Sequence, residues 1–222
     1  MNTASKSNVV RLSHVLKKEY GVISWYPRRD AINELVYTIL SQHTSDINSE
    51  RAFENLISHF ESIKAISNAD VSEIERCIKT AGLHKIKAVR IKDVLNIIES
   101  RIGGFDLSFL AEMPLEPAKN WLKSLPGIGP KTAAIVLCFS FGMPAMPVDT
   151  HIYRVSRRLG LIDSKASADK AHDLMEKIVA PHEIFPFHMY LIKHGRAVCK
   201  ALRPRCNECV VASMCPSRLK LS

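Results

Sequence analysis

The stretch LPGIGPKTAAIV, Leu125 to Val136, sets a lysine just behind a glycine-rich turn and at the head of an apolar run. AKNWLKSL before it and PKTAAIVLCFSFG after it both read as helices, with Pro130 at the first helical position, where a missing N–H is no loss. Two helices joined by so short a turn make a helix–hairpin–helix. Gly127, Ile128 and Gly129 form the turn. Its glycines let the backbone come close to an anion, and its N–H groups and the second helix's N-terminus face that anion. Such a device binds phosphate and reads no base sequence, the alternative being a turn between helices that serves packing alone. The nucleotide-binding loop G-x4-G-K-[ST] does not fit. Pro130 separates Gly129 from Lys131, the two glycines are too close together, and no strand precedes them. Nucleotide hydrolysis is excluded on that ground.

Outward from the hairpin, nearly every segment carries helical spacing. RDAINELVYTIL puts Ile32, Leu35, Val36, Ile39 and Leu40 on one face behind Asp30 as N-cap. SDINSERAFENLISHF repeats the pattern with Ile47, Ala52, Phe53, Leu56 and Ile57, and KIKAVRIKDVLNIIESRIGG is a long amphipathic helix closed by two glycines. No alternating strand with hairpin signals occurs. The spacing predicts an all-α protein of about ten helices with short loops.

The chain has 222 residues, enough for one substantial core or two smaller ones, and a net charge of +9. That excess favours a polyanionic partner. No apolar run approaches the ~18 residues of a membrane span. MNTASKSNVVRLSHVLKKEY lacks the apolar centre of a signal peptide. A cytoplasmic location, associated with the nucleoid, is expected. In that compartment clustered cysteines read first as metal ligands and not as disulfides.

Four of the six cysteines fall in the basic C-terminal segment, where CKALRPRCNECVVASMC spaces Cys199, Cys206, Cys209 and Cys215 as C-x6-C-x2-C-x5-C. Four thiolates so spaced can converge on one centre with no ligand position left open, which marks a structural site. Zinc and an iron–sulfur cluster both accept four thiolates. The single C-x2-C pair with two outlying cysteines favours the cluster without deciding it. Lys200, Arg203 and Arg205 lie inside the loop and would project as a phosphate-binding patch. Cys77 and Cys138 lie on apolar helix faces and are expected in the core.

Lys131 sits in the first turn of the hairpin's second helix, where the macrodipole disfavours an ammonium. A lysine that gives up its proton more easily supplies the neutral amine a Schiff-base nucleophile needs. Pairing with DNA phosphate is the alternative. MPVDTHIYRVSRRLG places Asp149 or Thr150 at a helix cap. A carboxylate there, near a lysine amine, can also stabilise the positive charge that builds on a sugar as a glycosidic bond breaks.

LPGIGPKTA, then VDTHIYRVSRRLG with eighteen residues from Lys131 to Asp149, then C-x6-C-x2-C-x5-C, together resemble the endonuclease III family of helix–hairpin–helix base-excision DNA glycosylases. The resemblance runs from about Asp30 to Cys215. It implies an all-α, two-lobed fold, with a six-helix barrel over 28–143 that contains the hairpin at about 115–141. The second lobe, from 1–27 and 144–222, would carry a [4Fe-4S] cluster on Cys199, Cys206, Cys209 and Cys215. It implies a monomer that takes double-stranded DNA with a damaged base or an abasic site and needs no membrane. The damaged nucleotide would be flipped into the groove between the lobes. Lys131 would attack C1′ with help from Asp149, and the Schiff base would permit strand cleavage by β-elimination, the AP lyase step. Oxidised pyrimidines are the expected lesions. Uracil or thymine mismatches, alkylated bases and 5-methylcytosine are the alternatives, and a noncatalytic DNA-binding module is the reading from another class.

One loop departs from the family. Where endonuclease III reads SAQATD, with the glutamine filling the gap left by the flipped base, this chain reads SQHTSD, Ser41 to Asp46. Alignment on Asp46 gives that place to His43 and shifts Gln42 by one. Either Gln42 or His43 fills the gap.

Overall fold

The computed structural model describes residues 3–218, with side chains from residue 6 to residue 218. Among them all regular structure is helical, eleven α-helices and five short 3-10 turns, with no strand, as the spacing predicted. Among the described residues no helix is long and apolar enough to cross a membrane. The chain divides into two compact units. One is the continuous segment Pro27–Phe141, and the other is drawn from both ends of the chain, up to Tyr26 and from Gly142.

The discontinuous unit begins with α1 (Thr3–Tyr20). The continuous unit holds α2 (Ala31–Ser41), α3 (Asp46–Phe60), α4 (Ile63–Asn68), α5 (Val71–Cys77), α6 (His84–Ile102), α7 (Leu115–Lys123) and α8 (Pro130–Phe141). Asp30 caps α2 by accepting from Asn33 N at 2.9 Å. The expected apolar face of α2 is buried, but so is nearly everything else on it, because α2 packs against α8, α3 and α6. Its Glu34 is therefore fully buried, and the Arg28 guanidinium pairs with it while lying 4.9 Å from the centre of the Tyr37 ring. α6 contributes Ile91, Val94, Leu95 and Ile98, all fully buried.

Two sequence expectations fail locally. Ile47 is 75% exposed, because the second position of α3 lies about half a turn around the helix from the buried Ala52 and Leu56. Cys138 is buried in the core as expected, but Cys77, the last residue of α5, is only half-buried.

The rest of the discontinuous unit is α9 (Thr150–Arg158), α10 (Ala168–Ile178) and α11 (Ile184–Ala197), with α1 packed on α10 and α11. α9 and α11 approach closely at Gly195. A Cβ there would stand 3.0 Å from His151 Cβ and 3.2 Å from Val155 Cγ2.

Candidate functional site

The hairpin is built as the sequence suggests. α7 ends at Lys123, the turn closes with Leu125 N–H on Leu122 O and Ile128 N–H on Leu125 O, and α8 starts at Pro130. Gly127 takes a left-handed φ of +72°. Ile128 is buried and its amide is spent on Leu125, so it anchors the turn and presents no donor. Among the described residues the amides of Gly127 and Gly129 donate to no backbone carbonyl, and both turn glycines stand beside the N-terminus of α8. Lys131 is the second residue of α8 and is exposed.

The loop after α2 divides its two candidates. Gln42 is folded back onto the hairpin. Its Nε2 donates to Gly127 O at 3.3 Å and to Thr132 Oγ1 at 3.4 Å, and its Oε1 accepts from Arg90 Nη1 at 2.6 Å. His43 is exposed at the loop tip with a left-handed φ of +53°. Sequence reasoning missed a second exposed tip in the same unit. Leu83, the N-cap of α6, is also left-handed (φ +48°) and 55% exposed. A bulky residue held in that conformation is an outlier whose neighbours must enforce it. The only hint in sequence was a glycine–leucine pair between two helical patterns.

In the discontinuous unit Asp149 is the N-cap of α9, and its Oδ1 accepts from Ile152 N at 2.7 Å. The second carboxylate oxygen remains for other work. The extended segment leading to it, Ala145 to Val148, is buried and its backbone is paired off. Met146 N donates to Glu176 Oε1 (2.8 Å), His172 Nδ1 bonds Met146 O (2.8 Å) and His188 Nδ1 donates to Pro147 O (2.9 Å). These two buried histidines fix the carboxylate's approach, a role their sequence context did not disclose.

Cys199, Cys206, Cys209 and Cys215 all line one pocket with Val155, Leu159 and Val211. Its walls also bring nitrogen atoms to two of the sulfurs. Arg158 Nη1 reaches Cys199 Sγ at 3.4 Å, and His194 Nε2 lies 3.5 Å from Cys209 Sγ with Tyr20 Oη 3.0 Å from its Nδ1. Arg158 also ties down the loop by donating to Lys200 O (2.6 Å) and Ala201 O (3.1 Å). Burial, with the neighbouring thiols adding, pushes the Cys209 and Cys215 thiols up. A bound cation reverses that preference by holding the thiolate form. Lys200, Arg203 and Arg205 are all exposed on the loop, and Arg205 lies 3.5 Å from Glu208.

The structure thus gathers the four thiols into one pocket and Gln42 onto the hairpin. Lys131 belongs to the continuous unit and Asp149 to the discontinuous one. Residues 36–181 match the family model for HhH-GPD superfamily base excision DNA repair proteins. The chain is 31% identical to endonuclease III of Thermotoga maritima over 87% of this chain and 88% of that one. It is 32% identical to endonuclease III of Escherichia coli K12 over 84% of each. Among solved structures, a trapped endonuclease III–DNA covalent intermediate superposes with a TM-score of 0.83 at 27% identity, covering 99% of both chains.

Proposed function

This chain belongs to the HhH-GPD superfamily of base excision DNA repair proteins, and from that membership we propose a bifunctional DNA N-glycosylase and AP lyase acting on oxidised pyrimidines in duplex DNA. The observation that carries the lyase half is the exposed Lys131 in the first turn of α8, immediately behind the Gly127–Gly129 turn. The turn's glycine amides and the α8 N-terminus hold a backbone phosphate, which brings the sugar of the flipped nucleotide to the lysine. The unprotonated Nζ adds to C1′. The glycosidic bond breaks, and its electron pair leaves with the base, which takes up a proton. Asp149 caps α9 with one oxygen and with the other stabilises positive charge at the sugar and accepts a proton from the attacking nitrogen. The sugar ring then opens, the C1′–O4′ bond breaking as the C1′=N bond forms and O4′ taking up a proton. The Schiff base so made acidifies C2′–H, and loss of that proton expels the 3′ phosphate.

His43 is the gap-filling residue in this reading, because Gln42 is already committed to Arg90 and the hairpin. Leu83 suits insertion between base steps, as an exposed apolar tip. Lys200, Arg203 and Arg205 supply further phosphate contacts. The Pro27–Phe141 unit takes the part of the barrel lobe and the discontinuous unit that of the cluster lobe.

The four cysteines would hold a [4Fe-4S] cluster. Tetrahedral zinc at about 2.3 Å from each sulfur draws the sulfurs to about 3.8 Å from one another. Among the described residues no three of these thiols lie within 4.8 Å of one another, which suits a larger inorganic core. The cluster would supply folding energy and pin the basic loop, and no step of the reaction uses it. The enzyme works as a monomer on nucleoid DNA in the cytoplasm.

The test is to incubate the protein with duplexes carrying thymine glycol, dihydrouracil, uracil or an abasic site and to add borohydride. A covalent adduct that vanishes in Lys131→Ala supports the reading. No adduct and no nicking of abasic DNA sinks the lyase. Absorbance near ~400 nm with iron by elemental analysis supports the cluster, and a colourless protein containing zinc overturns it.

A further inference from the structure

Lys87, in the first turn of α6, is only 2% exposed and, among the described residues, has no carboxylate partner. A bare cation in such a place is costly unless every N–H is used. All three are used, and the acceptors come from different segments. Nζ donates to Leu40 O (2.6 Å) in the last turn of α2, to Thr44 Oγ1 (2.7 Å) in the loop after it, and to Ala81 O (2.6 Å) ahead of α6. Thr44 Oγ1 in turn donates to Ala81 O, which closes the triangle. The two segments joined in this way are those that carry the left-handed tips. His43 lies between Leu40 and Thr44, and Leu83 lies two residues beyond Ala81. One helical turn on, Arg90 fixes Gln42 from the same helix.

We propose that Lys87 is a positioning residue for base extrusion. It fastens the His43 loop and the Leu83 loop to α6 so that both tips are held in the strained, outward conformation before DNA arrives. A core lysine whose only task was stability would be replaced at little loss by an apolar residue of like shape. A lysine satisfied by three neutral acceptors on two loop bases instead fixes the spacing of those loops, because its charge-assisted bonds are short and directional. Pre-ordering the tips removes from the extrusion step the cost of organising them. This inference rests on the glycosylase reading given above.

The experiment compares wild type with Lys87→Met on one duplex that carries a tetrahydrofuran abasic analogue opposite 2-aminopurine, whose fluorescence reports insertion of the tips. Excision from a thymine glycol duplex and borohydride trapping on a preformed abasic duplex are measured alongside. Lys87→Met is expected to bind undamaged duplex within twofold of wild type, to lose most of the 2-aminopurine change at saturation, and to excise at least tenfold more slowly. Its trapping on the preformed abasic site, where no base has to be extruded, falls less than threefold. Thr44→Val removes only the loop end of the clamp and should give a milder loss of the same kind, and in the double variant it should add less than twofold. It also carries the test if Lys87→Met does not fold. A folded Lys87→Met with the full fluorescence change, a uniform loss across binding, excision and trapping, or a Thr44→Val indistinguishable from wild type overturns the assignment. Wild type without adduct or signal removes the glycosylase reading itself, and this inference with it.

Discussion

Arg90 and Gln42 hold one another at 2.6 Å, guanidinium to amide oxygen, while the amide nitrogen of Gln42 reaches the carbonyl of Gly127. A glutamine held at both ends of its amide is a strut between the α2 loop and the hairpin, whereas His43 beside it points away into solvent. The two residues should therefore fail differently. His43→Ala should leave thermal stability within about 0.5 kcal/mol, as for an exposed side chain, and slow excision at least tenfold. Gln42→Ala should cost about 1 kcal/mol of stability through its lost hydrogen bonds. Melting curves and single-turnover excision read both. Equal losses of stability would contradict the division of labour.

The same arginine lies against the hairpin turn. A Cβ built on Gly127 would run into Arg90 Nε and Cδ, and the left-handed φ of +72° would strain any other residue there. Gly127→Ala should destabilise by about 1–2 kcal/mol and weaken duplex binding. Gly129 has no positive φ, and a Cβ on it meets nothing within 4 Å. Gly129→Ala should melt like wild type yet bind duplex more weakly, because the added methyl keeps the backbone away from phosphate. Binding titrations at fixed salt beside thermal melts make the comparison. A Gly129→Ala that binds normally would show that the turn does not approach DNA through that residue.

Substitution can separate the cap that Asp149 makes on α9 from the catalytic role proposed for it. Asparagine caps a helix about as well as aspartate, so Asp149→Asn should keep the bond to Ile152 N and hold stability within about 0.5 kcal/mol. It should nonetheless lose at least a hundredfold in excision, since it carries no charge to stabilise the sugar and accepts no proton. Asp149→Ala should lose both, with a further ~1 kcal/mol from the missing cap. A fully active Asp149→Asn would reduce Asp149 to a cap.

The helices, the hairpin and the thiol set were legible in the sequence because each is written locally. Pro130 and the turn glycines announce the hairpin, Asp30 and Asp149 announce caps, and the cysteine spacing announces convergence. The residues that aim the site were not legible. Lys87, His172 and His188 act on backbone atoms far along the chain and Arg90 on the side-chain amide of Gln42, and nothing in their own neighbourhoods tells a buried lysine from a solvated one. Ile47 went the other way, because a hydrophobic residue at helical spacing says nothing of which flank of the face it occupies.

Burial of Lys87, with Arg90 nearby adding repulsion, lowers its affinity for a proton to a pKa of about 8, against about 10.4 in the unfolded chain. Among the described residues the groups facing Nζ are two carbonyls and a hydroxyl, and Arg90 is the neighbouring charge that repels its proton. Below pH 8 both states carry the proton, and the penalty of the buried cation is fully present. Between about 8 and 10.4 the unfolded chain binds more protons than the native one, so this group adds stability as pH rises. Other groups titrate in that range, and the difference between wild type and Lys87→Met isolates this one. Wild type should gain on the variant by roughly 1–3 kcal/mol from pH 7.5 to about pH 10.5, read from denaturant midpoints at each pH. A difference that stays flat across the window would mean that Lys87 keeps an ordinary lysine's hold on its proton, and that it is not buried as a cation.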